Sequence, residues 1–519
     1  MLERFTPSHR APSRVRFHRM RRRAATVGLA AALVAGASGA GATPAAATAT
    51  EASPPVSGAA AGATHAPDAD APATAAPAEI GRRTYTGTID GADYRVEVPE
   101  AWNGTLVLYS HGYWPTTFAP PPDIALTNSP ETETWLLDHG YALAASNFQG
   151  VAGFQVARAQ QDQIALLDWF GANVAEPERT ISTGLSMGGS IAVNLAERNP
   201  ERFDGVMTVC AGYDPQNTWN AGLDVAYAVR TLLLPGSDID LVHPVDAAQA
   251  GADTTALSEA VTTALTSEEG RARLALVASM ANITGWWSAL APRPTDPDEV
   301  IRQQANWILN AYVGGFAGPT ARLDLEAKVG GNPSSNEDVD YRRQLLRSAG
   351  TRQVIEAYRA TGLDLGADLD ALNAGPRIAA DPAAVEFMRD TSVPSGDLTV
   401  PMVSLHSTGD SGAPPDQERW YAGQVRREGG RDLLRQLFVD RGQHCSTSAA
   451  DEIVALQTLL HRIDQRRWPS TAPHRLNAAV AGFPPEYQVV TDFSTFVDRA
   501  QMPPAFVRYM PPRTMRPSR

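Results

Sequence analysis

The fold turns on the stretch Thr180-Ile181-Ser182-Thr183-Gly184-Leu185-Ser186-Met187-Gly188-Gly189-Ser190-Ile191-Ala192-Val193-Asn194-Leu195. A short strand run, Thr180–Thr183, enters Gly184-Leu185-Ser186-Met187-Gly188, and a helical run, Gly189–Asn199, follows. G-x-S-x-G between a strand and a helix makes a turn so tight that a side chain at either flanking glycine would clash, and the strain lifts the serine hydroxyl to the top of the sheet. Ser186 is therefore the candidate nucleophile, the alternative being an ordinary strand-to-helix turn.

Working outward, Tyr85–Ile89 and Tyr94–Val98 alternate apolar and polar residues around Asp90-Gly91, a hairpin signal. Thr105–Ser110 is a short continuous apolar run of the kind buried in a parallel sheet, and Tyr141–Asn147, Gly205–Ala211, Val400–His406 and Arg435–Val439 read the same way. Helical stretches at Gln155–Asn173, Gly189–Asn199 and Thr447–Ile463 alternate with them, which predicts an α/β fold with a mostly parallel sheet flanked by helices. The span 214–398 interrupts this order with mainly helical pattern, far longer than an ordinary connection, and reads as a cap or lid inserted between two core strands. The sheet domain is thus expected at 81–213 and 399–470, with a Pro-rich extension at 471–519.

The chain has 519 residues, 43% hydrophobic and 19% charged, which excludes a disordered, collagen-like or coiled-coil protein. Its formal charge is −13, yet residues 1–42 hold eight arginines against one acid, Glu3. The remainder is more acidic still, so nucleic acid and anionic membrane surfaces are poor partners. Arg21-Arg22-Arg23, an apolar run Ala24–Ala35 and small residues after it have the three-part layout of a secretory signal peptide over 1–42. Residues 43–80, almost all Ala, Pro, Thr, Gly and Asp, read as a disordered linker or propeptide. A secreted, extracellular protein is expected, with no membrane anchor in the mature form, and a monomer.

A serine hydroxyl needs a base. Among ten histidines, His444 lies in the loop between the last strand run and the last helix, after the serine, where it reaches across the strand tips. Asp410, in Leu405-His406-Ser407-Thr408-Gly409-Asp410, follows the penultimate strand and is the candidate acid that orients the imidazole, with Asp416 and Asp214 as competitors. Backbone N–H groups for a developing oxyanion are expected from Met187, at the helix N-terminus, and from Tyr113 in the loop opened by Ser110-His111-Gly112. No metal cage or cofactor motif is evident, and the single lysine, Lys328, sits in a segment without supporting motif.

The elbow GLSMG, the strand followed by His111-Gly112, the acid loop LHSTGD and the base loop GQHC together resemble the α/β-hydrolase superfamily, over about Tyr85 to Ile463 with the insertion interrupting. The resemblance implies a Ser-His-Asp hydrolase acting through an acyl-enzyme without a cofactor. The chain lacks the HGGG oxyanion loop of some esterases. In outline it also resembles secreted polyhydroxyalkanoate depolymerases, though without their usual cysteine-bearing oxyanion loop. A secreted carboxylic-ester hydrolase on small or polymeric esters is the first expectation, and a secreted serine peptidase of prolyl or tripeptidyl aminopeptidase type the second. Cys445 abuts His444 and Cys210 ends the strand beside the elbow strand, so both are expected at one sheet edge, where a disulfide would clamp the base loop; two unrelated thiols are the alternative. In the insertion, Trp286, Trp287 and Trp307 are expected to line an apolar groove unless they pack in the core.

Overall fold

The structure, a computed structural model, describes residues 81–495 and 497–518. The expected signal peptide and linker lie outside them. Asp90 and Gly91 both take positive φ (49° and 85°), as a two-residue turn of type I′ demands, and close a hairpin of β1 (Arg82–Ile89) and β2 (Ala92–Pro99). Then come β3 (Thr105–Ser110), β4 (Ala142–Ser146), β5 (Arg179–Leu185) and β6 (Gly205–Val209). After the insertion the chain adds β7 (Met402–Gly409) and β8 (Leu434–Gly442). A two-stranded pair, β9 (Val489–Thr491) with β10 (Arg499–Gln501), and β11 (Phe506–Val507) follow.

The nine-stranded sheet has the order β1-β2-β4-β3-β5-β6-β7-β8-β11. From β4 to β8 every pairing is parallel, and β1, β2 and β11 run antiparallel at the edges. Every residue of β3, β4, β6 and β7 is buried, which explains the mostly apolar runs of β3, β4 and β6, while β7 also carries buried polar residues, Ser404, His406, Ser407 and Thr408. Because β3 connects to β4 on one side and pairs with β5 on the other, the chain reverses its direction across the sheet there. Such a switch point opens a crevice at the carboxyl ends of the strands.

Every element between β6 and β7 is helical, from 215–233 through 382–392. Tyr341–Thr361, one run in the sequence, breaks into 341–347 and 351–361 around Ser348-Ala349-Gly350. The insertion shares one apolar cluster with the sheet, in which Leu108, Ile191 and Val206 of the sheet layer join Trp219, Leu276 and Trp307. The cap is built onto the sheet and does not form a separate core. Trp286 and Trp307 are 6% and 2% exposed, so they pack in the core and the expected groove is absent from those positions.

The Pro-rich extension does more than cover the body. Beyond β11 its last residues run between the insertion and the helix 416–427. Arg516 pairs with Asp224 at 2.7 Å, Ser518 N–H donates to Asp214 at 2.8 Å, and Thr514 Oγ1 donates to the Asp416 carbonyl at 2.9 Å. These contacts cap acids that are otherwise sealed from water: Asp214 and Asp224 are 0% exposed. Asp416 is also buried. Its Oδ2 accepts from Asn282 Nδ2 at 2.9 Å, and burial, then the charge of Asp214, push its carboxyl up to about 7.

That shift sets a pH window. In the unfolded chain an aspartate loses its proton near pH 4. Between there and about 7 the folded protein holds a proton that the unfolded chain has released, so this group's contribution to stability falls as pH rises through the window. Asp416→Asn imitates the protonated acid. Its melting temperature relative to wild type should be higher at pH 8 than at pH 5, as thermal unfolding at the two pH values will show; a difference that does not grow between them would refute the assignment.

Candidate active site

Ser186 sits at the crevice, at the point where β5 turns into the helix Met187–Arg198, with φ 55° and ψ −120°. Three glycines make that backbone possible. A Cβ on Gly184 would collide with the Gly188 carbonyl, one on Gly188 with the Ser110 carbonyl, and one on Gly189 with Ala211. A left-handed non-glycine residue costs on the order of 1–3 kcal/mol, so it persists only where its surroundings over-determine it.

The hydroxyl is engaged. Ser186 Oγ lies 2.8 Å from His444 Nε2, and His444 Nδ1 lies 2.7 Å from Asp410 Oδ2. The imidazole side chain is 25% exposed, while the carboxylate is fully buried. Gly412 and Ala413 N–H donate to Asp410 Oδ1 at 2.8 and 3.0 Å, which fixes the carboxylate's plane. The competitors face elsewhere: Asp214 caps the helix 215–233 through Asn217 N–H, and Asp416 meets Asn282. Residues far apart in the chain, 186, 410 and 444, are thus brought into one hydrogen-bonded series.

Met187 is the first residue of its helix, so its N–H has no acceptor within the helix. On the facing loop, a Cβ at Gly112 would stand 3.3 Å from both Leu185 O and Ser186 Cβ, so this loop abuts the elbow, and Tyr113 comes directly after it. His111 does not compete for the serine. Its ring stacks on Phe148 at 4.3 Å, its Nδ1 meets Gly112 O at 2.7 Å, and burial lowers its pKa. The Tyr113 phenol packs against the core, where burial and Asp324 raise its pKa.

The base loop is held from three sides. Cys210 and Cys445 form a disulfide with Cα atoms 5.2 Å apart, as their placement at one sheet edge suggests. Cys210, Gln443 and Cys445 all carry positive φ (47°, 66° and 55°), so the loop and its anchor are as constrained as the elbow. Past it, Ser448 and Asp451 form a capping box on the helix Ala449–Gln465, and Asp451 takes the buried Arg441 guanidinium from the end of β8. From the cap, Trp286 O accepts from Gln443 N–H at 3.2 Å and Trp287 O from Gln443 Nε2 at 2.8 Å.

The cap grips the acid loop too. Thr284 N–H donates to Ser411 Oγ at 2.8 Å, Thr284 Oγ1 to Gly409 O at 2.6 Å, and Tyr312 OH to Ser411 O at 3.0 Å. Trp286 lies on the tips of both strands, where Gly409 and Gly442 leave room for its indole. Thr284, Trp286 and Tyr312 carry no motif. Nothing in the sequence pairs residue 284 with 409–411, and only tertiary packing reveals them.

A series of aromatic rings, largely buried in the core, runs between these two loops. Gly153 N–H donates to Trp114 O at 2.8 Å beside Tyr113. Phe154 then meets Trp219, Trp219 meets Phe316 and Phe316 meets Tyr312, with centroids 6.4, 6.4 and 5.8 Å apart. Among the described residues one cluster offers three metal-type ligands, Cys210, His444 and Cys445. Both sulfurs are committed to the disulfide and the imidazole to Ser186 and Asp410. No helix among the described residues is long and apolar enough to cross a membrane.

Sheet topology, elbow and crevice are those of the α/β-hydrolase fold. The chain is 29% identical over 422 residues to an o-phthalyl amidase of Xanthobacter agilis, covering 75% of this chain and 89% of that protein. Among solved structures, an esterase from Aspergillus oryzae is 13% identical, with a TM-score of 0.36 over 75% of this chain and 80% of that one. An acylaminoacyl peptidase from Pyrococcus horikoshii is 12% identical with a TM-score of 0.31, over 70% of this chain and 37% of that one. No protein-family model matches the chain.

Two outcomes follow. The disulfide closes a separation of 235 positions, for which chain entropy gives a stabilisation of about 4–5 kcal/mol at most. The denatured, unreduced protein should titrate with no free thiol, and under reductant activity should fade before bulk structure does. Trp286→Ala should cost about 3–5 kcal/mol in denaturant unfolding, as large-to-small core changes do. It should lower turnover of small and large substrates alike; loss confined to large substrates would restore the groove.

Proposed function

We propose that this chain is a serine hydrolase that cleaves acyl compounds through an acyl-enzyme. The observation that carries the reading is the series from Ser186 Oγ to His444 Nε2 at 2.8 Å and from His444 Nδ1 to Asp410 at 2.7 Å, built on a left-handed elbow. Ser186 Oγ attacks the substrate carbonyl carbon while His444 Nε2 takes its proton. The Met187 and Tyr113 N–H groups receive the oxyanion. His444 then gives the proton to the departing alcohol or amine, leaving the acyl group on Ser186. Water repeats the sequence, losing a proton to His444 and releasing the acid. Asp410 holds the imidazole in the productive tautomer and stabilises its charged form.

The acyl group is a small, aromatic-tolerant one. The amidase relative, whose name specifies an o-phthalyl group, supports this and brings amides within range beside esters. A polyester of polyhydroxybutyrate type fits less well, since Trp286 and Trp307 are core residues and offer no surface to a polymer. Export of the mature enzyme is supported by the basic and apolar leader and by the disulfide.

Ser186→Ala and His444→Ala should each remove nearly all turnover from a folded protein, and the double variant should lose little more, because the pair acts as a unit. Asp410→Asn should cripple activity while Asp416→Asn keeps it. Single variants retaining more than about a tenth of wild-type kcat would sink the triad. Assays on p-nitrophenyl esters, aromatic-acyl amides, aminoacyl-anilides and a polyester emulsion assign the bond: the first two should be cleaved, whereas exclusive cleavage of the anilides or the emulsion would replace this substrate class.

A further inference from the structure

Behind the acid lies a second histidine that the reaction just described does not use. His406, in β7, is fully buried. Its Nδ1 is 3.0 Å from Glu418 Oε1 and its Nε2 is 2.8 Å from the Ala413 carbonyl oxygen. Neither partner supplies a proton. A carbonyl only accepts, and Glu418 already accepts from Ser404 Oγ at 2.8 Å and from Gln436 Nε2, the set of donors an ionised carboxylate attracts. A neutral imidazole has one N–H, and this ring meets an acceptor at each nitrogen, so it carries two. Burial by itself lowers the pKa of His406, but the hydrogen bond and charge of Glu418, followed by the charge of Asp410, turn the shift upward.

The same Nε2 stands 3.6 Å from Asp410 Oδ2, the oxygen that receives the His444 Nδ1 proton. Ala413 links the two sides: its carbonyl accepts from His406 and its N–H donates to Asp410 Oδ1 at 3.0 Å. A carboxylate sealed from water resists ionisation unless a cation or several donors support it. His406 is such a cation, and it sits at the turn 410–413 that aims the carboxylate.

We propose that His406 is a positioning residue: a buried imidazolium, anchored on Glu418, that holds the 410–413 turn and keeps Asp410 ionised and pointed at His444. The proposal rests on the triad reading above. The charged and titratable groups around it are Glu418 and Asp416 on the helix 416–427, Asp410 on its own loop, and Tyr213 after β6, whose hydroxyl is tied to Thr208 at 2.6 Å. On β8 the register partner of His406 is the uncharged Phe438.

His406→Gln keeps a donor and removes the charge. In this variant the positive charge beside the Asp410 carboxylate is gone, so the His444 imidazolium forms more easily. The acidic limb of kcat/KM for a p-nitrophenyl ester should move up by about one pH unit. On the plateau kcat should fall about tenfold, well short of the loss on removing a triad member. A folded variant whose limb coincides with that of wild type overturns the proposal, since a residue that merely fills space lowers activity without moving the limb. The second arm needs no variant: in wild-type protein labelled with 15N-histidine, the His406 ring should still carry both protons at about pH 7.5, where an ordinary imidazole is mostly neutral. A neutral ring there overturns the proposal even if His406→Gln fails to fold. Failure of the triad reading would show separately, as turnover retained in Ser186→Ala.

Discussion

Everything at this site depends on one serine held in a left-handed backbone. Ser186 at φ 55° is unfavourable in isolation, and it survives because the strand before it, the helix after it and the strand beside it approach so closely that Gly184 and Gly188 leave no room for relaxation. That crossing does two things together. It presents the hydroxyl at the sheet edge, and it sets the Met187 N–H at a helix start, facing the loop that begins at Gly112. A base and an acid placed with less rigidity would forfeit the alignment.

The insertion supplies that rigidity. A lid makes few contacts with what it covers, whereas here Thr284, Trp286, Trp287 and Tyr312 hydrogen-bond to the acid and base loops, and the Trp286 indole rests on the glycines ending β7 and β8. The disulfide anchors the base loop to β6 from the other side. The alignment of Ser186, His444 and Asp410 thus comes from packing between sheet and insertion as much as from the strands themselves. It also accounts for the buried tryptophans: a ring that fixes two loops has to be enclosed.

Enclosure brings charge into the interior. Asp410, Asp214, Asp224 and Glu418 are all fully buried, and each has an assigned companion: the turn amides and His444 for Asp410, the chain's last residues for Asp214 and Asp224, and His406 for Glu418. Unpaired, each would cost several kcal/mol. The Pro-rich extension, which has little periodicity, acts here by delivering Arg516 and backbone donors to the seam between insertion and sheet.

The amino-acid sequence by itself determined what is local. The hairpin at Asp90-Gly91, the apolar runs of the parallel strands, the elbow around Ser186 and the order of acid and base loops were legible because each depends on neighbours within a few residues. His444 and Asp410 were legible for the same reason, each following a recognisable strand. Only the tertiary structure shows that Asp410 meets His444 while Asp416, six positions on, meets Asn282. It also places Trp286 on the ends of β7 and β8, adds β11 to the sheet at 506–507, and sets His406 Nε2 3.6 Å from Asp410. Those outcomes depend on contacts between segments far apart in the chain or on the direction a side chain leaves its strand, and neither periodicity nor spacing along the chain encodes them.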